Sequence, residues 1–242
     1  MTDMEKLKKL IDEHHKIVFF GGAGVSTESG IPDFRSAHGL YSGARGKSYE
    51  EMLSDGFFFQ HPEEFWKFYR GVMLYPEAKP NPAHQALARL EKQGKLMAIL
   101  TQNIDGLHQL AGSQNVLELH GSELRNHCMR CGQFYTMAQI LRGNKPPVCE
   151  HCGGAIKPDV VLYGESLDEE VIEKSIQAIE NCDLLIVGGT SLVVYPAAGF
   201  IRYKNPKAPL VLLNRDPTPY DGEADLILRG NIADVLSEAV GE

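Results

Sequence analysis

No apolar run in the 242-residue chain approaches the roughly 20 residues that carry a helix across a bilayer. A helical membrane protein is excluded. Basic side chains are in deficit, with 24 Lys and Arg against 32 Asp and Glu, and a formal charge of −8 repels a phosphate backbone, so nucleic acid is not the expected partner. No internal repeat or low-complexity tract is present, and the proline-rich points at residues 79–82 and 216–219 are short loops, not domain linkers. Five cysteines are too few to staple a chain of this length, which must therefore hold itself together with a core. The 43% of apolar and 23% of charged residues suit such a core and exclude disorder over most of the length. Residues 1–15 are charged and helix-periodic, without the apolar segment of a signal peptide, so the expected compartment is the cytoplasm.

Four of the five cysteines form two Cys-x-x-Cys pairs, Cys128 with Cys131 and Cys149 with Cys152, separated by 17 residues. In a reducing compartment such pairs are metal ligands more readily than disulfides, and this spacing predicts a closed tetrahedral zinc site of four thiolates. Four thiolates leave no position for a water, so the zinc is expected to be structural. The alternative is four reduced, unliganded thiols.

Leu7, Leu10 and Ile11 lie at helical spacing, after which Lys16-Ile-Val-Phe-Phe20 runs into Gly21-Gly-Ala-Gly24: helix, buried strand, glycine turn. Short apolar runs recur at residues 96–100, 184–187 and 210–213, and helix-periodic segments at 83–93, 167–180 and 196–203. That alternation predicts an α/β fold with a doubly wound parallel sheet. Two stretches interrupt it. Residues 38–74 carry an aromatic cluster that includes Phe57, Phe65, Trp66 and Tyr69, and residues 121–157 carry the paired cysteines. Both read as insertions, leaving a sheet domain made of residues 1–37, 75–120 and 158–242.

Gly22-Ala23-Gly24 after a strand allows backbone N–H groups to approach a pyrophosphate, although alone it equally describes a tight turn. Thr27 stands where a dehydrogenase fingerprint has its third glycine, and no acidic residue closes a second strand about 20 residues on. The continuation to Arg35 adds a carboxylate, an aromatic ring and a guanidinium in one loop. Thr101-Gln-Asn-Ile-Asp105 and Leu119-His-Gly121 also follow apolar segments, so the three loops are expected to meet beyond the carboxyl ends of the strands, where open parallel sheets bind ligands. Singly, Asn103 and Asp105 also describe an Asx turn, and His120 a satisfied core histidine.

In order along the chain, Gly22-Ala-Gly-Val-Ser-Thr-Glu-Ser-Gly-Ile-Pro-Asp-Phe-Arg35, Thr101-Gln-Asn-Ile-Asp105, His120-Gly121, the cysteine pairs, Lys157-Pro-Asp-Val-Val-Leu-Tyr-Gly-Glu165 and Gly189-Thr-Ser-Leu-Val-Val194 resemble the sirtuins over nearly the whole length. The resemblance implies an NAD-dependent protein-lysine deacylase. It also implies a Rossmann-type domain joined to a small domain built from a helical module (38–74) and a zinc-ribbon module (121–157), with NAD between them. By matching motif, Ala23, Gly24, Thr27, Phe34 and Arg35 surround the pyrophosphate and nicotinamide ribose, Gln102 contacts ribose, and Thr190, Ser191, Asn214 and Ile232 hold the adenosine half. Ile31, Phe34, Asn103, Ile104 and Asp105 form the nicotinamide pocket, with Asp105 accepting from the carboxamide.

The implied reaction consumes NAD: the acyl oxygen of the lysine attacks the ribose carbon as nicotinamide leaves. His120, with Asn103 as its catalytic companion, then accepts a proton from the ribose diol. The products are nicotinamide, free lysine and acyl-ADP-ribose. Substrate is expected as an extended acetyl-lysine peptide added between edge-like strands at 160–165 and 192–195, with Val160 and Val193 against the lysine stem. Relatives that prefer succinyl groups carry a Tyr-x-x-Arg pair; here Tyr69 is followed by Val72 where the arginine would stand, which predicts neutral acyl chains unless Arg70 or Arg45 supplies the cation instead. Two other readings share these residues: a mono-ADP-ribosyltransferase using the same NAD site, and a non-catalytic NAD-sensing module that docks through its zinc ribbon. Nicotinamide release on adding an acetyl-lysine peptide separates the last from an enzyme.

Overall fold

Phe19 and Phe20 are sequence neighbours buried on opposite faces of one sheet. A computed structural model describes residues 1–33 and 47–241. In chain order it contains α1 (Asp3–Glu13), β1 (Ile17–Gly21), α2 (Tyr49–Met52), α3 (Asp55–Gln60), α4 (Pro62–Phe68), α5 (Pro82–Lys92), β2 (Leu96–Thr101), α6 (Leu107–Leu110), β3 (Val116–Glu118) and β4 (Gly121–Cys128). β5 (Phe134–Thr136), α7 (Met137–Ile140), β6 (Ile156–Val160), α8 (Glu169–Asn181), β7 (Leu184–Gly188), β8 (Leu210–Leu213), β9 (Leu226–Leu228) and α9 (Ile232–Val240) follow.

Six strands form a parallel sheet in the order β3-β2-β1-β7-β8-β9. Because side chains alternate along a strand, Ile17 and Phe19 meet Leu7 of α1, Leu87 of α5 and Leu236 of α9, while Val18 and Phe20 meet Ile179 of α8 and Phe200 on the other side. Cover on both faces explains why the strands read as unbroken apolar runs. Each fully buried Phe or Leu contributes roughly 1.5–3 kcal/mol, so the sheet is the main store of stability. The strand order reverses between β1 and β7, which leaves a crevice at their carboxyl ends.

A second, antiparallel sheet has the order β5-β4-β6. β4 pairs through Gly121 with Val160 and Ser122 with Asp159, then resumes at Asn126 with Pro158, so residues 123–125 bulge out of the ladder. Phe57, Phe65, Trp66 and Tyr69 pack in one cluster with Cys128, Tyr135, Ile140, Cys149 and Ile156. The aromatic and cysteine-rich stretches therefore share a single core. β6 also spans the expected 157/158 boundary and pairs only with β4.

Both segments expected as peptide-binding strands depart from expectation: β6 ends at Val160, so 161–165 are not a strand, and neither are residues 192–195. The Thr190 hydroxyl accepts from Leu192 N (3.3 Å), and Leu192 is buried in a left-handed conformation with φ 56°, which turns the backbone away from any ladder. Residues 196–203 contain a 3₁₀ helix, Ala197–Tyr203, and β9 and α9 were not anticipated.

Candidate active site

Two glycine turns interlock at the crevice. After β1, Gly24 N donates to Gly189 O (2.8 Å) in the turn after β7, and a Cβ on Gly24 would stand 2.7 Å from Gly189 Cα. Only glycine allows that approach. Asn81, the N-cap of α5, braces the loop from below, its Nδ2 donating to Val25 O (2.7 Å) and Ser29 Oγ (3.0 Å).

Three polar side chains bridge the crevice above the turns. Thr190 Oγ1 donates to Gln102 Oε1 (3.1 Å), and Thr190 N donates to Asn214 Oδ1 (3.0 Å). Gln102, Gly189, Thr190 and Asn214 each lie just past the end of β2, β7 or β8. Gln102 Nε2 and Asn214 Nδ2 are buried without a partner among the described residues. Such donors are costly to leave unpaired, and here they border a cavity.

Ser26, Asn103 and Asp105 form a second network. Ser26 Oγ donates to Asp105 Oδ2 (2.6 Å) and accepts from Asn103 Nδ2 (3.1 Å), while Leu107 N donates to Asp105 Oδ1 (2.9 Å). Burial pushes the Asp105 pKa up, and these two hydrogen bonds oppose the rise. His120, between β3 and β4, donates from Nδ1 to Gln102 O (3.0 Å), which leaves Nε2 as a proton acceptor. Burial lowers the His120 pKa, against that hydrogen bond, so the ring is held neutral.

Both networks open onto one cavity of about 610 Å³ running from the crevice to the face of the small sheet. Away from it, the Sγ atoms of Cys128, Cys131, Cys149 and Cys152 lie within 4.8 Å of one another. The separations of 3.4 Å for Cys128–Cys152, 3.4 Å for Cys131–Cys152 and 3.6 Å for Cys131–Cys149 approach the ~3.8 Å edge of a tetrahedron with ~2.3 Å zinc–sulfur bonds. Tyr135 OH donates to Cys149 Sγ (3.2 Å) and Arg130 N to Cys128 Sγ (3.4 Å), support suited to thiolates. The donor set fits zinc.

A model of the Sir2 family matches residues 22–196. The chain belongs to the Sir2 family. A Clostridium acetobutylicum relative named NAD-dependent protein deacetylase is 56% identical over 244 residues, covering 99% of each chain. A mutant Sir2 homologue bound to ADP ribose superposes with a TM-score of 0.90 at 39% identity, over 98% of this chain and 94% of that one. A complex of Sir2 with a p53 peptide and NAD+ gives 0.84 at 38%, over 98% and 96%.

In this Sir2 chain Ala23, Gly24, Ile31, Gln102, Asn103, Ile104, Asp105 and His120 line the cavity, as do Val160, Thr190, Ser191 and Asn214. Three expected site residues are not on its wall. Thr27 donates to Gly24 O (3.1 Å), Ile232 packs in the sheet core against Gly188, and Val193 is exposed, with Val194 on the wall in its place. Phe34, Arg35 and Arg45 fall outside the described residues. Arg70 donates to Ile140 O (2.7 Å) and Lys145 O (2.9 Å) and stacks over Trp66, so it faces away from the Sir2 cavity. Tyr69 is fully buried and Val72 lines the wall. Sequence reasoning left out Ser26, which quotes the same motif as Gly24, and Glu123, whose carboxylate nothing in the sequence distinguishes from a surface one.

Proposed function

We propose that this Sir2-family chain is an NAD-dependent protein-lysine deacetylase that moves the acetyl group of lysine onto the ADP-ribose part of NAD and releases nicotinamide. One observation carries the reading: a neutral His120, its Nδ1 committed to Gln102 O, offers Nε2 to the same cavity that the two glycine turns and the unpartnered Gln102 and Asn214 amides border.

The residues present fit a dinucleotide. The pyrophosphate lies against Ala23 and Gly24 of the first glycine turn, with Phe34 and Arg35 from the same loop beside it and Thr27 bracing the turn through Gly24 O, and Gln102 Nε2 donates to ribose. Asn214 Nδ2, with Thr190 and Ser191, holds the adenosine half, and Ile232 supports that end only from the core beneath Gly188. Ile31, Ile104, Asn103 and Asp105 enclose the nicotinamide, whose carboxamide donates to the Asp105 carboxylate. NAD supplies the glycosidic bond whose cleavage drives the transfer. His120 Nε2 then takes a proton from a ribose hydroxyl, a role worth typically 10²- to 10⁴-fold in rate.

An acetyl-lysine segment enters beside Val160, whose neighbour Val161 donates from N to His120 O (3.0 Å) and so ties the peptide-facing segment to the base. Val193, at the exposed rim, contacts the peptide. Residues 1–37, 75–120 and 161–242 serve as the NAD-binding domain, and 38–74 with 121–160, through the end of β6, as the small domain. The zinc holds the latter together and takes no chemical part. No described helix is long and apolar enough to cross a membrane. Four clustered thiols suit the reducing cytoplasm, where we place the protein.

Incubating the purified chain with NAD and an acetyl-lysine peptide tests the reading. Nicotinamide and deacetylated peptide should form one for one. Nicotinamide without loss of acetyl would indicate ADP-ribosyl transfer instead, and no nicotinamide at all would indicate a sensor.

A further inference from the structure

Of the acidic side chains on the cavity wall that the reaction above does not use, Asp33, Glu123, Glu165 and Asp216, only Glu123 is fully buried. Glu123 is 3% exposed and lines the wall, and its carboxyl makes no hydrogen bond or ion pair with a described residue. It is there because of the bulge in β4. In a regular ladder side chains alternate between the faces, but residues 123–125 have no partners on β6. Glu123 N is tied instead to Ile104 O (3.0 Å), beside Asp105. Leu124 is left partly exposed against Gly106, and Arg125 pairs with Glu118 (2.7 Å). A buried carboxyl without a partner among the described residues is costly, and a side chain that opens onto a cavity finds its partner in what the cavity binds.

We propose that Glu123 is a specificity-determining residue for the acyl group, selecting chains whose far end carries a neutral hydrogen-bonding group such as a hydroxyl over purely aliphatic chains of the same length. The inference rests on the deacylase reading of this cavity. Three consecutive residues span at most about 11 Å, so Glu123 lies within that distance of His120, a gap that its own side chain and a four-carbon acyl chain close together. The same cavity wall carries the apolar side chains of Val72, Met73, Ile104, Val160 and Leu162. The passage therefore suits a hydrocarbon stem with a polar tip. Burial, reinforced by the neighbouring Asp105, pushes the Glu123 pKa up to about 8, so at neutral pH the group is a carboxylic acid that both donates and accepts.

The test compares matched peptides bearing butyryl-lysine and 3-hydroxybutyryl-lysine, with acetyl-lysine as the reference. The wild-type chain should favour the hydroxylated chain over butyryl by about tenfold in kcat/KM. Glu123→Gln, which keeps shape and hydrogen bonding, should retain the preference, and Glu123→Val should reverse it in favour of butyryl. A wild-type ratio near one, or a preference unchanged in Glu123→Val, overturns the proposal. The ratio of peptide dissociation constants provides the same comparison without turnover, so an absence of acetyl turnover counts against the deacetylase reading alone. Melting curves confirm that both variants are folded before the ratios are read.

Discussion

Ser26 Oγ and Asp105 Oδ2 are 2.6 Å apart, and the same hydroxyl takes a hydrogen bond from Asn103. One serine on the loop after β1 thus fixes two side chains from the loop after β2. Ser26→Ala should release both and cost the Asp105 carboxylate a buried donor, a loss of about 1–3 kcal/mol in the interaction. The expected outcome is a fall of roughly tenfold or more in kcat/KM for NAD with a folded protein. Steady-state kinetics within twofold of wild type would show that the network holds the fold and not the ligand.

His120→Ala should remove deacetylation by about 10²- to 10⁴-fold while NAD binding survives. Calorimetric titration with NAD beside a turnover assay separates the two. Near-normal turnover in the folded variant would return His120 to the role of a buried structural histidine.

One zinc per chain is expected from elemental analysis. Because Cys128 and Cys149 sit in the same cluster as Phe65, Trp66 and Tyr69, chelation should lower Tm and activity together, and Cys149→Ala should do the same. Absence of zinc in the purified chain, or an unchanged Tm in the variant, would refute this.

Stability should be greatest near pH 6.5. His84 and His108 meet edge to face with ring centroids 4.7 Å apart and are buried, which lowers their pKa values to about 4 and about 3, so the unfolded chain binds more protons and stability drains away as the pH falls below about 6.5. Glu123 has the opposite sign: its pKa of about 8 means that the folded chain holds the extra proton, and stability falls as the pH rises from about 4.5 through 8. Asp105, also raised, adds to that slope. His108→Leu should flatten the acid limb of a Tm–pH curve, and Glu123→Gln the alkaline limb. Limbs of unchanged steepness would contradict the assignment.

Acetyl-lysine should exceed succinyl-lysine in kcat/KM by at least about 10-fold, or roughly 1.4 kcal/mol. Val72 offers no cation to a terminal carboxylate, and Arg70 is bound to Ile140 and Lys145. A buried carboxylate without a partner loses several kcal/mol of hydration. Comparable succinyl removal would point to Arg45.

What the sequence disclosed followed physical scale. Runs such as Ile17-Val-Phe-Phe20 announce themselves because both faces of a parallel strand are buried, whereas β9 has three residues and no period to read. The cysteine cluster was legible because thiolate spacing is a local constraint. Segment 192–195 misled because Val193 and Val194 have strand propensity, while the Thr190 hydroxyl that diverts the chain acts through a bond invisible in composition. His84 and His108 are 24 residues apart in sequence and meet only when α5 and α6 pack. Glu123 depends on a register, and a register belongs to two strands at once.

The pairing of Ile17 with Leu184 has a consequence for synthesis. On the ribosome β1 finds β2 early, but its other edge must wait until the whole small unit and α8 have been made. Until then the nascent chain carries an apolar strand with one side open, the kind of surface that recruits chaperones or other nascent chains. Gly24 likewise has no Gly189 to pack on, so the cofactor cradle is among the last features of this protein to come into being.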